Sequence, residues 1–287
     1  MGKLLTDGDI HALIHLLGDD DAWVKEQART TLRGAGAPAV PFLEHSATTS
    51  DEQAIRVESS LVMEDIHVDA IERDWVALQA EDEGKAMEEG ALLLERMIHP
   101  GREDRFDGAR AFLDDLARRA RETVPPRGSV ARRVAALRAF LHEARGFHGN
   151  VEDYYDAENS FLTSVLERRK GIPITLALVW LAVGRRLGVP LVGIGMPMHF
   201  LVGYRVGSHM RYLDPFFGGR EVTRAECLLL LERAGFEPAE QFLHPAPVVG
   251  ILDRMARNLV LIYQNGARDR ELRLARRFVT VLTGEIV

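Results

Sequence analysis

A histidine and an aspartate fall where the sequence predicts two neighbouring strands. His199 begins the apolar stretch HFLVGYRV, and Asp214 lies within the next stretch, MRYLDPFF. A two-residue loop at Gly207-Ser208 would make the two side chains diagonal neighbours on one face of a hairpin, because side chains alternate between the faces of a sheet. A carboxylate in that position can orient an imidazole, and such a pair supplies the base and its orienting carboxylate in a nucleophilic triad. The alternative is a half-buried histidine whose hydrogen bond to an aspartate is structural.

The sequence offers few nucleophiles for such a pair. Cys227 is the only cysteine and falls in a predicted helix that matches no catalytic motif, and a single cysteine also excludes an intrachain disulfide or a cysteine-based zinc cage. Thr175 lies two residues into a helix predicted to begin at Pro173. It is either a nucleophile activated by His199 or a first-turn side chain bonded to the local backbone.

Two further patterns bear on cofactors. His199, His209 and Asp214 have the residue types of a 2-His-1-carboxylate iron site, but His209 falls in or beside the predicted turn and the spacing is not diagnostic. The GIGMP stretch follows a predicted strand but continues with Met-Pro where a dinucleotide site needs a helix. We therefore expect no cofactor and no metal.

The pattern of helices and strands expected around these residues predicts an α+β protein that is mostly helical. A helix from Pro173 to about Leu187 precedes three strand-like stretches, LVGIGMP, HFLVGYRV and MRYLDPFF, after which TRAECLLLLERAG returns to helix with Thr223 as N-cap. Three amphipathic helices are expected between Glu81 and His148, the last with Ser129 as N-cap. The expected core is a central helix against a small antiparallel sheet, flanked by helical repeats.

The two ends of the chain carry helical periodicity of their own. Residues 1–75 resemble HEAT-type repeats, with a second copy expected near Ala54, and residues 246–287 resemble one tetratricopeptide-like hairpin. The predicted domains are a HEAT-like region over 1–75, a core over 76–245 and a helical hairpin over 246–287. So few repeat units bury too little surface to stand alone, and we expect them to pack on the core.

Several short motifs of the sequence resemble motifs that occur together in a known family. The stretches ENSFLTSVLERRKGIPITLALVWLAVGRRLGVP, GMPMHFLVGY and YLDPFFGG, in this order, resemble the SirB-one family, whose central domain is similar to the transglutaminase-like fold. The resemblance is close over residues 153–219. In such proteins a Gly-x-Cys step opens a helix and a histidine and an aspartate follow from strands. The resemblance implies that Pro173 stands at the nucleophile position, His199 at that of the base and Asp214 at that of the orienter.

Proline at the nucleophile position changes the expected function. Proline suits a first helical turn, where its missing N–H would have no partner, but it has no atom that can attack a carbonyl. The sequence therefore favours a non-catalytic cleft around Pro173, His199 and Asp214 that binds a protein or peptide. Asn159, within the family word ENS, is a second candidate contact, although capping of the helix that begins near Phe161 is its more ordinary role. The enzyme alternative is a hydrolase or acyltransferase that uses Thr175 or a water activated by His199.

Net charge and hydropathy limit the classes of partner that the protein is expected to bind. The 287 residues carry a formal net charge of −7, which disfavours non-specific binding to nucleic acid or to an anionic membrane. The N-terminal stretch MGKLLTDGDIHALIHLLGDDD has acidic residues where a signal peptide needs an apolar core, and no run is long enough to cross a bilayer. We expect a cytoplasmic protein with no nucleic-acid or membrane partner.

Overall fold

The computed structural model describes residues 5–286. The chain divides after Asp74 into two compact units, and helix α4, given below, contains the point of division. Among the described residues, no helix combines the length and apolar composition that are needed to cross a membrane.

The N-terminal unit is helical. Its helices are α1 (Asp7–Leu16), α2 (Ala22–Ala35), α3 (Val40–Thr49) and α4 (Gln53–Leu78). Asp21 caps α2, because its Oδ1 accepts hydrogen bonds from the backbone N–H groups of Trp23 (2.8 Å) and Val24 (3.4 Å). Where the sequence suggested a second repeat near Ala54, the chain forms a single helix of 26 residues. The HEAT-like assignment of residues 1–75 stays a prediction.

The C-terminal unit surrounds one buried helix. Its helices are α5 (Glu83–Ile98), α6 (Glu103–Ala120), α7 (Val130–Arg138), which continues into a π-helical segment (Ala139–Ala144), α8 (Leu162–Arg168), α9 (Pro173–Leu187), α10 (Arg224–Arg233), α11 (Val248–Asn265) and α12 (Asp269–Thr283). Helix α9 packs against α5, α6 and α8, and every side chain from Pro173 to Gly184 is buried. It ends at Gly188, which has a φ of 65° in the left-handed region. The predicted central helix and the N-caps Ser129 and Thr223 are confirmed.

Six short strands complete the unit. They are β1 (His148–Gly149), β2 (Lys170–Gly171), β3 (Val192–Ile194), β4 (Leu201–Val206), β5 (His209–Asp214) and β6 (Arg220–Val222). Strands β1 and β2 form a parallel pair, and β3-β4-β5-β6 form an antiparallel sheet in that order. Val206 pairs with His209, which confirms the two-residue loop at Gly207-Ser208. The sequence did not predict β1, β2 or β6, because two or three residues are too few to show an alternating pattern.

The last two helices form a hairpin that packs on α5. Buried apolar side chains line the facing sides of α11 and α12, among them Leu252, Met255 and Leu259 on α11 and Leu274 and Phe278 on α12. The α+β class predicted from the sequence is confirmed. The tetratricopeptide-like assignment of 246–287 and its separation from the core over 76–245 stay predictions.

Candidate functional site

The predicted histidine-aspartate pair forms. His199 Nε2 lies 2.9 Å from Asp214 Oδ2. The sheet register pairs Val202 with Leu213, which places Asp214 opposite Leu201 and makes His199, two residues earlier, its diagonal neighbour. The expectation that His199 itself begins the strand is wrong. It lies in the loop before β4, because its backbone N–H bonds to the Met196 carbonyl in a turn (3.2 Å).

Asp214 is held in one orientation by the backbone that follows it. Its side chain is 2% exposed, and its Oδ1 accepts hydrogen bonds from the N–H groups of Phe216 (3.0 Å) and Phe217 (3.3 Å). The other carboxylate oxygen is thereby directed at His199. The imidazole in turn has only one ring nitrogen engaged, since its Nδ1 has no hydrogen-bond partner among residues 5–286.

His199 opens onto a cavity of about 280 Å³ that also contains the start of α9. The cavity is lined by Tyr154, Tyr155, Ile172, Pro173, Ile174, Met198, His199, Phe200, Arg254, Asn258, Leu261 and Ile262. Pro173 begins a buried helix, as predicted, and lines the cavity with His199. Asp214 is on the sheet and does not line the cavity, and His199 lies in the loop before β4. The four lining residues from α11 were not predicted, because nothing in the local pattern of that helix indicates where it packs.

A row of aromatic rings runs from the cavity along the surface. Successive ring centroids are 5.3 Å apart for Tyr155 and Tyr154, 5.8 Å for Tyr154 and Phe216, and 5.0 Å for Phe216 and Phe217. Phe217 then stacks on His199 at 6.4 Å. Tyr155 is 68% exposed and Phe217 is 55% exposed. We call these four residues with His199 the aromatic row; exposed rings in a contiguous group are typical of binding surfaces.

The loop that carries His199 has an unusual backbone. Met198 has a φ of 62°, which non-glycine residues seldom adopt, and its side chain is 76% exposed beside the cavity. Arg254 supports this loop from α11 by donating a hydrogen bond to the Met196 carbonyl, and its guanidinium lies 5.8 Å from the Phe200 ring centroid. Strained backbone next to a histidine-aspartate pair is consistent with a functional site.

Comparison with known protein families agrees with this geometry. Residues 107–257 match the model of the family described as the transglutaminase-like superfamily. The match covers more than half of the 287 residues. The chain belongs to the transglutaminase-like superfamily.

Several known proteins are similar to part of this chain. The chain is 41% identical over 163 residues to a UPF0162 protein of Xylella fastidiosa strain Temecula1, an alignment that covers 53% of this chain and 57% of the relative. It is 42% identical over 132 residues to a UPF0162 protein of Vibrio cholerae, covering 45% and 48% of the two chains. It is 34% identical over 149 residues to F-box only protein 21 of Mus musculus, covering 49% of this chain and 23% of the relative.

The alignments with these relatives are partial. The chain spans about half the length of the UPF0162 proteins and about a quarter of the F-box only protein. No solved structure matches the chain.

Neither Thr175 nor Cys227 lines the cavity beside His199. The Thr175 side chain is fully buried, does not line the cavity, and has no hydrogen-bond partner for its Oγ1 within residues 5–286. Two residues along a helix turn a side chain by about 200°, which directs Thr175 away from the face that Pro173 presents. Cys227 is fully buried in α10, and burial raises the pKa of its thiol to about 11. The geometry thus brings neither residue to His199.

Asn159 has a different place from the one predicted. Its side chain is fully buried and does not line the cavity; its Nδ2 donates to the carbonyls of Asp153 (2.7 Å) and Tyr154 (3.2 Å), and its Oδ1 accepts from Asn150 Nδ2 (3.0 Å). A side chain buried in this way cannot contact a ligand in the cavity. Asn159 instead fixes the backbone that carries Tyr154.

The idea that Asn159 caps the next helix is wrong. Phe161 occupies the N-cap position of α8 without a capping side chain. Glu95 of α5 substitutes for the cap: its Oε1 accepts from the Thr163 hydroxyl (2.5 Å) and its Oε2 from the Thr163 N–H (3.4 Å). Burial is the main cause that raises the pKa of Glu95. A partner 68 residues away cannot be read from the local sequence.

His209 lies far from the pair along the hairpin. It begins β5 opposite Val206, whereas Asp214 ends the same strand. An iron site built from His199, His209 and Asp214 is excluded by this separation. Within the described part of the chain, no three His, Cys, Asp or Glu side chains are grouped to hold a metal ion.

Proposed function

We propose that the chain is a non-catalytic member of the transglutaminase-like superfamily, of the SirB-one type, that binds a peptide segment of a partner protein at the cavity beside His199. The observation that carries the proposal is the composition of this cavity. It contains the start of α9 and an oriented imidazole, yet the residue at the helix start is Pro173. We place the protein in the cytoplasm, with no cofactor and no nucleic-acid or membrane partner.

The chemistry at the helix start supports binding over acyl transfer. Acyl transfer needs a nucleophilic atom within reach of the base, and the side chain of Pro173 has only carbon atoms. The two candidate nucleophiles that the sequence suggested, Thr175 and Cys227, are fully buried and do not line the cavity. A histidine oriented by Asp214 with a free Nδ1 is also a hydrogen-bond partner for a bound peptide group.

The surface around the cavity supports a peptide ligand. The aromatic row and the exposed Met198 give large, mostly apolar contact surfaces, and tyrosine and methionine are enriched in protein interfaces. The relationship to F-box only protein 21 is in keeping with a role in protein interaction. A cavity of about 280 Å³ accommodates one or two side chains of a bound segment.

The binding proposal is tested with a displayed random peptide library selected on the full chain. We expect selected peptides to bind with a Kd that rises about tenfold or more in Tyr155→Ala, because truncating an interface tyrosine that contributes strongly to binding costs more than about 1 kcal/mol. Phe236→Ala is the matched control, since Phe236 is 40% exposed and does not line this cavity. Selected peptides that bind both variants equally well would reject the cavity as the binding site.

One observation favours a second candidate function. The free Nδ1 of His199 faces no protein partner among the described residues, so a water activated there would make the protein a hydrolase. Esters and glutamine-containing peptides are the substrates to assay with wild type and His199→Ala. Turnover by wild type that His199→Ala abolishes would establish the hydrolase and refute the non-catalytic proposal. An acyltransferase that uses Thr175 is tested in the same assay with Thr175→Ala.

A further inference from the structure

The cavity is lined by a cation, Arg254, that has no carboxylate partner in the part of the chain that the structure describes. Arg254 is half-buried on α11, and burial lowers the pKa of its guanidinium. No carboxylate within residues 5–286 pairs with it. Arg186 of the same unit, which is also half-buried, does have such partners, because it binds Glu88 and Asp114. A partly desolvated cation without a counter-charge is costly unless something else compensates it.

The donor groups of Arg254 are mostly unused. A guanidinium has five N–H donors, and within residues 5–286 Arg254 makes one hydrogen bond, from Nη1 to the Met196 carbonyl. None of its nitrogen atoms is buried without a partner, so its remaining donors are accessible from the cavity. The Nε and Nη2 edge of an arginine matches the two oxygens of a carboxylate.

A second polar side chain of α11 lines the same cavity. Asn258 follows Arg254 by four residues on α11, so the two share one face of the helix, and both line the cavity. The side-chain amide of Asn258 likewise has no hydrogen-bond partner in the described part of the chain. The other residues of α11 in the cavity, Leu261 and Ile262, are apolar. The cavity therefore has a polar end with unused donors and an otherwise mainly apolar lining.

From this arrangement we propose that the bound segment carries an acidic side chain, whose carboxylate is held by Arg254 and Asn258 while its neighbours contact the aromatic row. This inference rests on the proposed function and specifies the ligand. An internal side chain fits better than a chain terminus, because exposed rings such as Tyr155 and Phe217 continue the apolar surface beyond the cavity. Arg254 then determines specificity, and its bond to the Met196 carbonyl links recognition to the loop of His199.

The test uses peptides from the displayed library, each synthesised in three forms: as selected, with its acidic residue changed to the amide (Glu→Gln or Asp→Asn), and with an amidated C-terminus. We expect acidic residues to be enriched, and the side-chain amide to raise Kd by about 10- to 100-fold, since hydrogen bonds to charged groups contribute roughly 1.5–3 kcal/mol. The amidated terminus should leave Kd unchanged.

Two variants of the chain separate recognition from folding. Arg254→Met removes the guanidinium, keeps an apolar side chain of similar length and should bind acidic and amide peptides equally. Asn258→Asp leaves Arg254 and its bond to Met196 intact, gives Arg254 a carboxylate partner, and should lose the acidic preference without losing thermal stability. Asn265→Asp is the matched control at the exposed end of the same helix.

The outcomes distinguish this inference from the function on which it rests. Peptides that depend on Tyr155 but show no acidic preference would overturn the inference and leave the binding function standing. A loss of affinity on amidation of the terminus alone would assign the carboxylate to a chain end and overturn the side-chain assignment. A library that gives no binder dependent on Tyr155 would overturn both proposals together.

Discussion

Gly149→Ala should damage the site without changing any residue that lines the cavity. Gly149 lies in β1, and its backbone N–H donates to the Phe216 carbonyl (3.1 Å). A Cβ atom added at Gly149 would lie 2.5 Å from Cδ2 and 2.6 Å from Cγ of Phe216, far inside normal contact distance. The ring cannot swing aside easily, because it is 8% exposed and packs between Tyr154 and Phe217. The backbone must therefore move.

The cost follows from the nature of this clash. Overpacking a filled core by one methyl group typically destabilises a protein by about 1–3 kcal/mol. For a unit of this size we expect the melting temperature to fall by about 2–12 °C. The Phe216 N–H also binds Asp214 Oδ1, so movement of Phe216 should disturb the aspartate that orients His199. We therefore expect weaker peptide binding in Gly149→Ala even at temperatures where it is fully folded.

Thermal unfolding and peptide binding measured on the same samples test this reasoning. Gly108→Ala is the control, because Gly108 lies within α6 with no atom within 4 Å of an added Cβ. Alanine there should be neutral or stabilising by up to about 1 kcal/mol. If Gly149→Ala melts at the temperature of Gly108→Ala and binds peptide as wild type does, the packing argument is refuted.

Four further outcomes are expected. The thiol of Pro173→Cys should be alkylated by iodoacetamide faster than that of Cys227, yet the variant should give little turnover of glutamine or ester substrates. A thiol alone does not supply aligned oxyanion donors, each of which contributes about 10²–10³-fold to the rate of acyl transfer. Rapid turnover would contradict this expectation. Cys227, with a thiol pKa of about 11, should resist alkylation at pH 8 unless the chain is unfolded. In the folded state the Cys227 thiol keeps a proton that it loses above about pH 9 in the unfolded state. The free energy of unfolding of wild type should therefore fall by about 1 kcal/mol relative to that of Cys227→Ala between pH 8 and 10. Denaturant titrations in which the difference between the two proteins stays constant over this range would reject the raised thiol pKa. Asp214→Ala should lower the free energy of unfolding by about 2–4 kcal/mol, because the N–H groups of Phe216 and Phe217 and the imidazole of His199 lose their acceptor. A melting temperature within about 1–2 °C of wild type would show that water replaces the carboxylate as the acceptor.

The sequence alone determined those parts of the site that depend on local periodicity. The contact between His199 and Asp214 was predicted from alternation along two strands and a two-residue turn, which together fix the register of a hairpin, and it forms although His199 lies in the loop just before β4. The helix that begins at Pro173 follows from proline at a first turn and an apolar run ended by Gly188. These signals lie within about 20 residues, and the structure confirms both elements and the distance between the two side chains.

Only the tertiary structure decided what surrounds the pair. Arg254 and Asn258 reach the cavity from a helix more than 50 residues after His199, and no periodicity in α11 indicates which of its faces meets the loop at Met198. The burial of Asn159 likewise depends on carbonyls that a folded turn directs at its amide. Side-chain contacts between distant segments are selected by the packing of the whole core, where volume and hydrogen bonding must be satisfied together, and a one-dimensional pattern does not specify that choice.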